Sequence, residues 1–533
     1  MPAETQSELP VIVQGSVVTS SARVLFSRPL LAVYSALALA VVVEWIPGLE
    51  RARLLGPRPV GSEQALPMPA SELSVGEARI ENETRQRAEL ALPEHVEQRR
   101  SVRGPLATRG EEPERPVEKA PPISITDRGF QGLGGFYRSL EGTERREAGA
   151  ITRIIHFGDS IVASDYVSGT LRRRLQDRFG DAGHGFSLIA NAWPAYFHHD
   201  VYRFASSGWL VSRLVGPLAP DAIYGLGGVS FRAPAGARAR FGTARSGRYG
   251  RAVSRFEIAY YRQPEGGALQ VNLDGKPYLT LDTAGTPATI AYETIRVPEG
   301  EHELELVTAR GSVRAFGVAM ERDHPRVVLD AIGIQGARAR FLGQQNRTSF
   351  QAQLRWRIPN LIVYQFGANE SADGFAYPMQ DYYRTLLEVL LQGKQAVPDA
   401  GCLVMGAMDR AARREGRLVT VAVVPALVEE QRKASAEVGC GFFNTFKAMG
   451  GHGSMASWVR RGLGQADLTH PTGSGSEVLA RWVYRALMEG YEAYRTHRSE
   501  TPPQPDQSLG RLPDRPPSQQ GSTDSTPLVD AAQ

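Results

Sequence analysis

Cysteine is nearly missing from this chain of 533 residues: only Cys402 and Cys440 occur. Two cysteines allow one disulfide and exclude a disulfide framework. Neither has a ligand-like neighbour in sequence, so no metal or redox motif surrounds them. Excess charge is missing as well. A net charge of +4 is nearly balanced and argues against a dedicated nucleic-acid binder. The densest basic run, Arg172-Arg173-Arg174, falls in a helical pattern and reads as a solvated helix face. No G-x-S-x-G turn is present, which argues against a standard α/β-hydrolase. His302-Glu303 lacks the second histidine of a zinc-protease helix. His198-His199-Asp200 reads as a surface loop, because three adjacent side chains cannot easily face one ion.

Long apolar runs are scarce, with one exception. Arg23 and Arg28 precede an apolar stretch over 30–43, extended by Trp45 and Ile46. It is short for a spanning helix of about 20 residues and long for the core of a cleaved signal. It reads as an uncleaved signal anchor over 24–47, with 1–23 in the cytoplasm and the rest exported; a cleaved signal and a buried helix are the alternatives. Residues 48–125, rich in Pro, Glu and Arg, read as a disordered linker, and the Pro/Ser/Gln-rich tail 498–533 reads the same way.

Between them the chain alternates short apolar runs with helical spacing. The run 151–157 suits a buried parallel strand, and 171–179 places Leu171, Leu175 and Phe179 on one helix face. Further apolar runs at 327–334, 361–366 and 402–407, with helical stretches at 379–391 and 422–437, predict an α/β fold on a doubly wound parallel sheet. One region breaks the rhythm. Over 230–322 the pattern switches to alternating segments, with Asp274-Gly275 as a hairpin turn signal. That reads as an inserted all-β sandwich, jelly-roll-like, dividing the α/β domain into 126–229 and 323–497. Tyr260, Tyr261, Tyr278 and Tyr292 in the insert suit either packing or stacking on sugar rings.

The residues that can carry chemistry sit at strand ends. Gly158-Asp159-Ser160 follows the first apolar run, where a parallel sheet collects its catalytic groups. Serine becomes a nucleophile when a base takes its proton. Asp467-Leu468-Thr469-His470-Pro471 precedes the last helix and offers that base, with Asp467 placed to hold the imidazole in one tautomer. Two further strand ends carry Gly333-Ile334-Gln335-Gly336 and Gly367-Ala368-Asn369. A glycine N–H and an asparagine amide are donors of the kind an oxyanion hole uses. Each island alone also serves as ordinary cap or turn chemistry.

In this order the four islands resemble the blocks of the SGNH, or GDSL, hydrolase superfamily, over about 151–490 apart from the insert. The resemblance implies Ser160 as nucleophile, His470 as general base and Asp467 as its orienting acid. It implies Gly336 and Asn369 as oxyanion donors beside the Ser160 N–H, with Gly333 the competing glycine. No cofactor or metal is implied. The insert, the export signal and Phe179-Gly180-Asp181-Ala182-Gly183 resemble bacterial peptidoglycan O-acetylesterases, whose insert looks like a carbohydrate-binding module. Those enzymes commonly carry His after the first-block serine, where this chain has Ile161, and Thr where it has Ala368. The expected function is removal of O-acetyl groups from a cell-envelope polysaccharide such as peptidoglycan. The expected place is the bacterial inner membrane, single-pass, with the catalytic domain outside the cytoplasm. A polysaccharide O-acetyltransferase with the same triad and a non-catalytic glycan-binding envelope protein are the alternatives.

Overall fold

The computed structural model describes residues 124–194 and 196–500. The expected anchor at 24–47 lies outside them, as do nearly all of the linker and tail; residues 498–500 belong to the last helix. Among the described residues no helix is long and apolar enough to cross a membrane.

Five strands form a parallel sheet in the order Val327–Gly333, Thr152–Gly158, Leu361–Gln365, Gly401–Met405, Gly441–Phe443. Each is apolar on both faces because helices cover both. Ile154, Leu361, Val363, Leu403 and Met405 face one core with the helices Tyr166–Phe179 and Gly473–Glu500. Ile155, Phe157, Ile362, Tyr364 and Val404 alternate with them into the other, with Arg347–Arg357, Met379–Ala396 and Val423–Val438. This is the doubly wound arrangement expected from the pattern. The short strand Gly441–Phe443 and the helix Gly134–Glu144 join it without having been read from sequence. Cys402 and Cys440 form a disulfide where those last two strands lie side by side.

The insert is a sandwich of two antiparallel sheets. Its hairpin Ala268–Leu273/Lys276–Asp282 turns on Asp274 and Gly275, both at positive φ, as the dipeptide requires. The sandwich begins earlier than the expected residue 230. Val201–Ala205 pairs with Arg238–Thr243, and Leu210–Arg213 pairs with Val229–Ala233. Even Gly183–Leu188 pairs with the insert strand Val313–Glu321. These short strands find partners far along the chain, so local alternation did not mark them. The chain leaves and returns at the amino end of Val327–Gly333, where Ala182 N–H donates to Val327 O at 2.9 Å.

A buried charge network fastens this junction. Arg357, 1 % exposed, makes two hydrogen bonds of 2.9 Å to Asp330 and reaches Glu321 at 2.7 Å. Glu321 also binds Arg153 at 2.8 Å and contacts Arg255. Asp330 lies on the parallel sheet, Glu321 and Arg255 on the insert. Burial by itself would raise the Glu321 pKa, but the Arg153 and Arg357 guanidinium groups outweigh it and hold the carboxyl well below its ordinary range. Its contribution to stability is therefore present above the unfolded carboxylate pKa and is lost as the pH falls through the depressed folded value.

Arg357→Leu takes the guanidinium from buried Asp330 and leaves Glu321 with Arg153 and Arg255, so a loss of about 3–5 kcal/mol is expected in denaturant unfolding at neutral pH. The gap to wild type should narrow as the pH drops below the carboxylate range. An unchanged midpoint would show that the network is not the fastening.

Candidate active site

Three strands deliver loops to the carboxyl edge of the parallel sheet: Ser160 follows Thr152–Gly158, Gly336 follows Val327–Gly333, and Asn369 follows Leu361–Gln365. His470 sits ahead of the helix Gly473–Glu500. The structure brings the distant islands together.

Asp159 caps the short helix Ser160–Ala163 by accepting the Ile161 N–H at 3.0 Å. The cap therefore belongs to Asp159, and the Ser160 hydroxyl is free. It lies 2.8 Å from His470 Nε2. On the far side of the ring, His470 Nδ1 is 2.6 Å from Asp467 Oδ2. Asp467 Oδ1 accepts the backbone N–H groups of Thr469 and His470, each at 3.0 Å. Leu468, at φ 61°, takes the left-handed turn that wraps this loop around one carboxylate. Burial would raise the Asp467 pKa, but these N–H groups and the ring hold it below the ordinary carboxylate range. An anion on Nδ1 fixes the proton there and leaves Nε2 to accept from serine. His470 and Asp467 are 34 % and 45 % exposed, so water reaches the ring directly.

The oxyanion candidates separate by packing. A Cβ on Gly333 would stand 1.9 Å from the Ala163 backbone nitrogen, so that glycine lets the edge strand meet the turn after Ser160. Gly336 adopts φ 81°, and a Cβ there would meet nothing within 4 Å; its face is open. Asn369 Nδ2 donates one hydrogen to Ala337 O at 2.8 Å and keeps a second. Ile161, in place of the histidine carried by the esterases this sequence resembles, is 5 % exposed and packs in the core.

Sequence reasoning missed the clamp between these two loops. Asn369 holds Ala337 O, Glu370 Oε1 accepts the Ala339 N–H at 2.8 Å, and Asp373 takes both arms of Arg338 at 2.6 and 2.8 Å. Three successive residues of the Gly336 loop are thus fixed by the Asn369 loop. Glu370 is buried, and burial pushes its pKa up to about 7, with the Asp159 charge adding. Burial also raises Asp159, to about 6, against the pull of the Ile161 N–H and His470. The only signal in sequence was an acid next to Asn369.

Two surface readings are corrected, and the tyrosines are placed. Arg172 is not solvated: it is 1 % exposed and pairs with buried Asp165 at 2.8 Å, while Arg173 pairs with Asp200 at 2.8 Å. His198 is buried too, and the His199 N–H donates to Asp165 at 2.8 Å. Asp165 turns left-handed ahead of the helix Tyr166–Phe179, and its buried charge draws these groups inward. Of the four insert tyrosines, Tyr278 is exposed, whereas Tyr260 is buried and Tyr292 stacks on Trp356 at 4.2 Å.

No protein-family model matches the chain, and no curated protein does. Among solved structures it is similar to a peptidoglycan O-acetylesterase, with a TM-score of 0.59 and 20 % identity over 69 % of this chain and 99 % of that one. An acetylxylan esterase from Geobacillus stearothermophilus matches at TM-score 0.24 and 18 % identity, over 31 % and 73 %. A carbohydrate esterase from Clostridium thermocellum matches at 0.20 and 11 %, over 54 % and 100 %. The first likeness shows the fold alone: a parallel α/β sheet domain with an added β sandwich, shared over nearly the whole of that chain.

The clamp generates a paired expectation. Glu370→Ala frees the Ala339 N–H and should lower kcat by about 10²-fold with little change in KM, as displaced donors do. Glu370→Gln keeps the acceptor and should stay within about threefold of wild type. Because the folded carboxyl titrates near 7, above its unfolded value, folding loses stability as the pH rises from the carboxylate range through 7. Glu370→Gln should therefore melt a few degrees higher than wild type at pH 8, with the gap closing as the pH falls toward the carboxylate range. Equal kcat losses in both variants would refute an acceptor role.

Proposed function

We propose that this SGNH-fold protein is a serine esterase that removes O-acetyl groups from a cell-envelope glycan, peptidoglycan foremost. The observation that carries the reading is the hydrogen-bonded line Ser160–His470–Asp467, at 2.8 and 2.6 Å, on the carboxyl edge of the parallel sheet. The fold it shares with a peptidoglycan O-acetylesterase supports the choice of glycan, since a 69 % share of the chain is too large for the α/β part alone.

In this reading Ser160 Oγ attacks the acetyl carbonyl while His470 Nε2 takes its proton. The carbonyl oxygen becomes an oxyanion, met by the free Asn369 N–H, the Gly336 N–H and the Ser160 N–H. Collapse expels the sugar oxygen, which takes the proton from His470. Water, deprotonated by the same ring, then releases acetate from Ser160. The exposed side of His470 gives that water its path.

We extend the proposal to location: an exported enzyme tethered by the 24–47 helix, with 48–125 as its spacer. The Cys402–Cys440 disulfide supports an oxidising compartment.

Acetate release from O-acetylated peptidoglycan by the purified protein is the test. Ser160→Ala should lower it by about 10³-fold or more. Its melting curve should be unchanged, because Asp159 supplies the cap. Activity within a few-fold of wild type would remove Ser160 as nucleophile, and acetyl transfer to sugar in preference to water would make the protein a transferase.

Asn369→Ala should reduce kcat by about 10²–10³-fold at nearly constant KM, the usual cost of one oxyanion donor. A raised KM at unaltered kcat would instead make Asn369 a ground-state binding residue.

A further inference from the structure

Between the strand Gly401–Met405 and the helix Val423–Val438 the chain builds a small antiparallel hairpin, Ala411–Arg414 paired with Arg417–Thr420. Its position is specific. The Ala411 N–H donates to Leu468 O at 2.9 Å, two residues before His470. Arg410, at its base, donates to Ser371 Oγ at 3.2 Å, two residues after Asn369. Asp409 anchors the base by accepting the Met455 N–H at 2.7 Å, and Thr420 Oγ1 accepts the Gly453 N–H at 2.7 Å. The hairpin thus spans from the oxyanion loop to the histidine loop, beside the mouth of the site.

Its two faces differ. Residues opposite each other share a face, so Ala411, Arg413, Leu418 and Thr420 lie on one side and Ala412, Arg414, Arg417 and Val419 on the other. Ala411 is buried, and Leu418 and Thr420 are half-buried, so the first face packs down apart from exposed Arg413. The second faces solvent, with Arg414, Arg417 and Val419 exposed.

Arg414 and Arg417 are direct cross-strand partners. Like charges in that position normally destabilise a hairpin. The turn Glu415-Gly416, at φ 48° and 76°, forces them opposite each other. Among the described residues neither has an acidic partner, unlike Arg338, Arg172 and Arg357, which are all paired. Two guanidinium groups set opposite each other, on a hairpin whose base touches both catalytic loops, have the chemistry to take an anion between them.

We infer that this hairpin is the substrate-recognition arm of the site, and that it selects glycans carrying free carboxylates near the acetyl ester. The inference rests on the esterase reading and deepens it. Peptidoglycan carries free carboxylates on its stem peptides, and on its lactyl ethers where the stem is absent; acetylated xylan backbones carry none. Arg414 and Arg417 hold a carboxylate while the apolar Ala412 and Val419 lie beneath the sugar or peptide. The neighbouring ester is then placed over Ser160. The arm touches no reacting atom, so small acetates do not feel it.

Binding is measured on the full chain carrying Ser160→Ala, with peptidoglycan fragments and with the same fragments after amidation of their carboxylates. The unaltered arm should bind the free acids at least about tenfold more tightly than the amides, with a preference that weakens with salt. Adding Arg414→Ala and Arg417→Ala should abolish that preference, and Arg414→Lys with Arg417→Lys should restore part of it. With Ser160 intact, the double alanine variant should hydrolyse p-nitrophenyl acetate within about twofold of wild type and melt no lower, since a repulsive pair has been removed. The inference is overturned if free and amidated fragments bind alike to the unaltered arm, if the double alanine variant keeps the preference, or if aryl acetate turnover collapses in a folded variant. Arm-dependent binding of free acids by a protein that releases no acetate from them would support this inference and refute the esterase reading, so the two fail separately.

Discussion

One guanidinium holds the two halves of this molecule in register. Arg357 satisfies Asp330 from the parallel sheet and Glu321 from the sandwich, and none of the three reaches water. Taking charges out of solvent costs several kcal/mol per ion, so such a cluster survives only with its geometry intact. A slip of either half would leave a bare charge in a low dielectric. Arg153, on the strand Thr152–Gly158, belongs to the same cluster, so the register passes directly to the strand that leads into Ser160.

From that frame the site needs little more than short loops. Each strand end releases one functional loop, and the loops hold each other. Asn369, Glu370 and Asp373 grip 337, 338 and 339; Asp467 grips the amides of 469 and 470; the hairpin base ties both loops together. Buried carboxylates recur in this scheme, at Asp159, Asp165 and Glu370. They do different jobs. Asp165 is matched by Arg172 and stays charged, whereas Glu370 takes an amide donor rather than a guanidinium in direct contact and is pushed toward its neutral form. The contrast follows from the partner each finds, because an amide cannot offset burial as a guanidinium does.

Much of the parallel sheet was legible beforehand. Doubly buried strands must be apolar on both faces, and runs such as 361–366 announce that without any tertiary information. The Asp274-Gly275 turn was legible for a similar reason, since few residues accept its backbone angles. The insert's first strands were not. Val201–Ala205 is only half-buried along its whole length, so no alternation marks it, and its partner lies tens of residues away. Arg172 misled because a helical triplet of arginines says nothing about a carboxylate arriving from the preceding turn.

The sequence by itself determined the chemistry: a serine at a strand end, an Asp–His couple before the last helix, and an asparagine amide between them. These are local facts, set by residue type and by what strands and caps demand of their neighbours. Only the tertiary structure decided the geometry. It set the 2.8 Å from Ser160 to His470 across 310 residues of chain, gave the cap to Asp159, and buried Glu370 against Ala339. It also left Arg414 and Arg417 facing each other with no acidic partner among the described residues. Burial, pairing and pKa depend on which distant segments arrive at a site. That is fixed by packing between elements, and no window along the chain contains it.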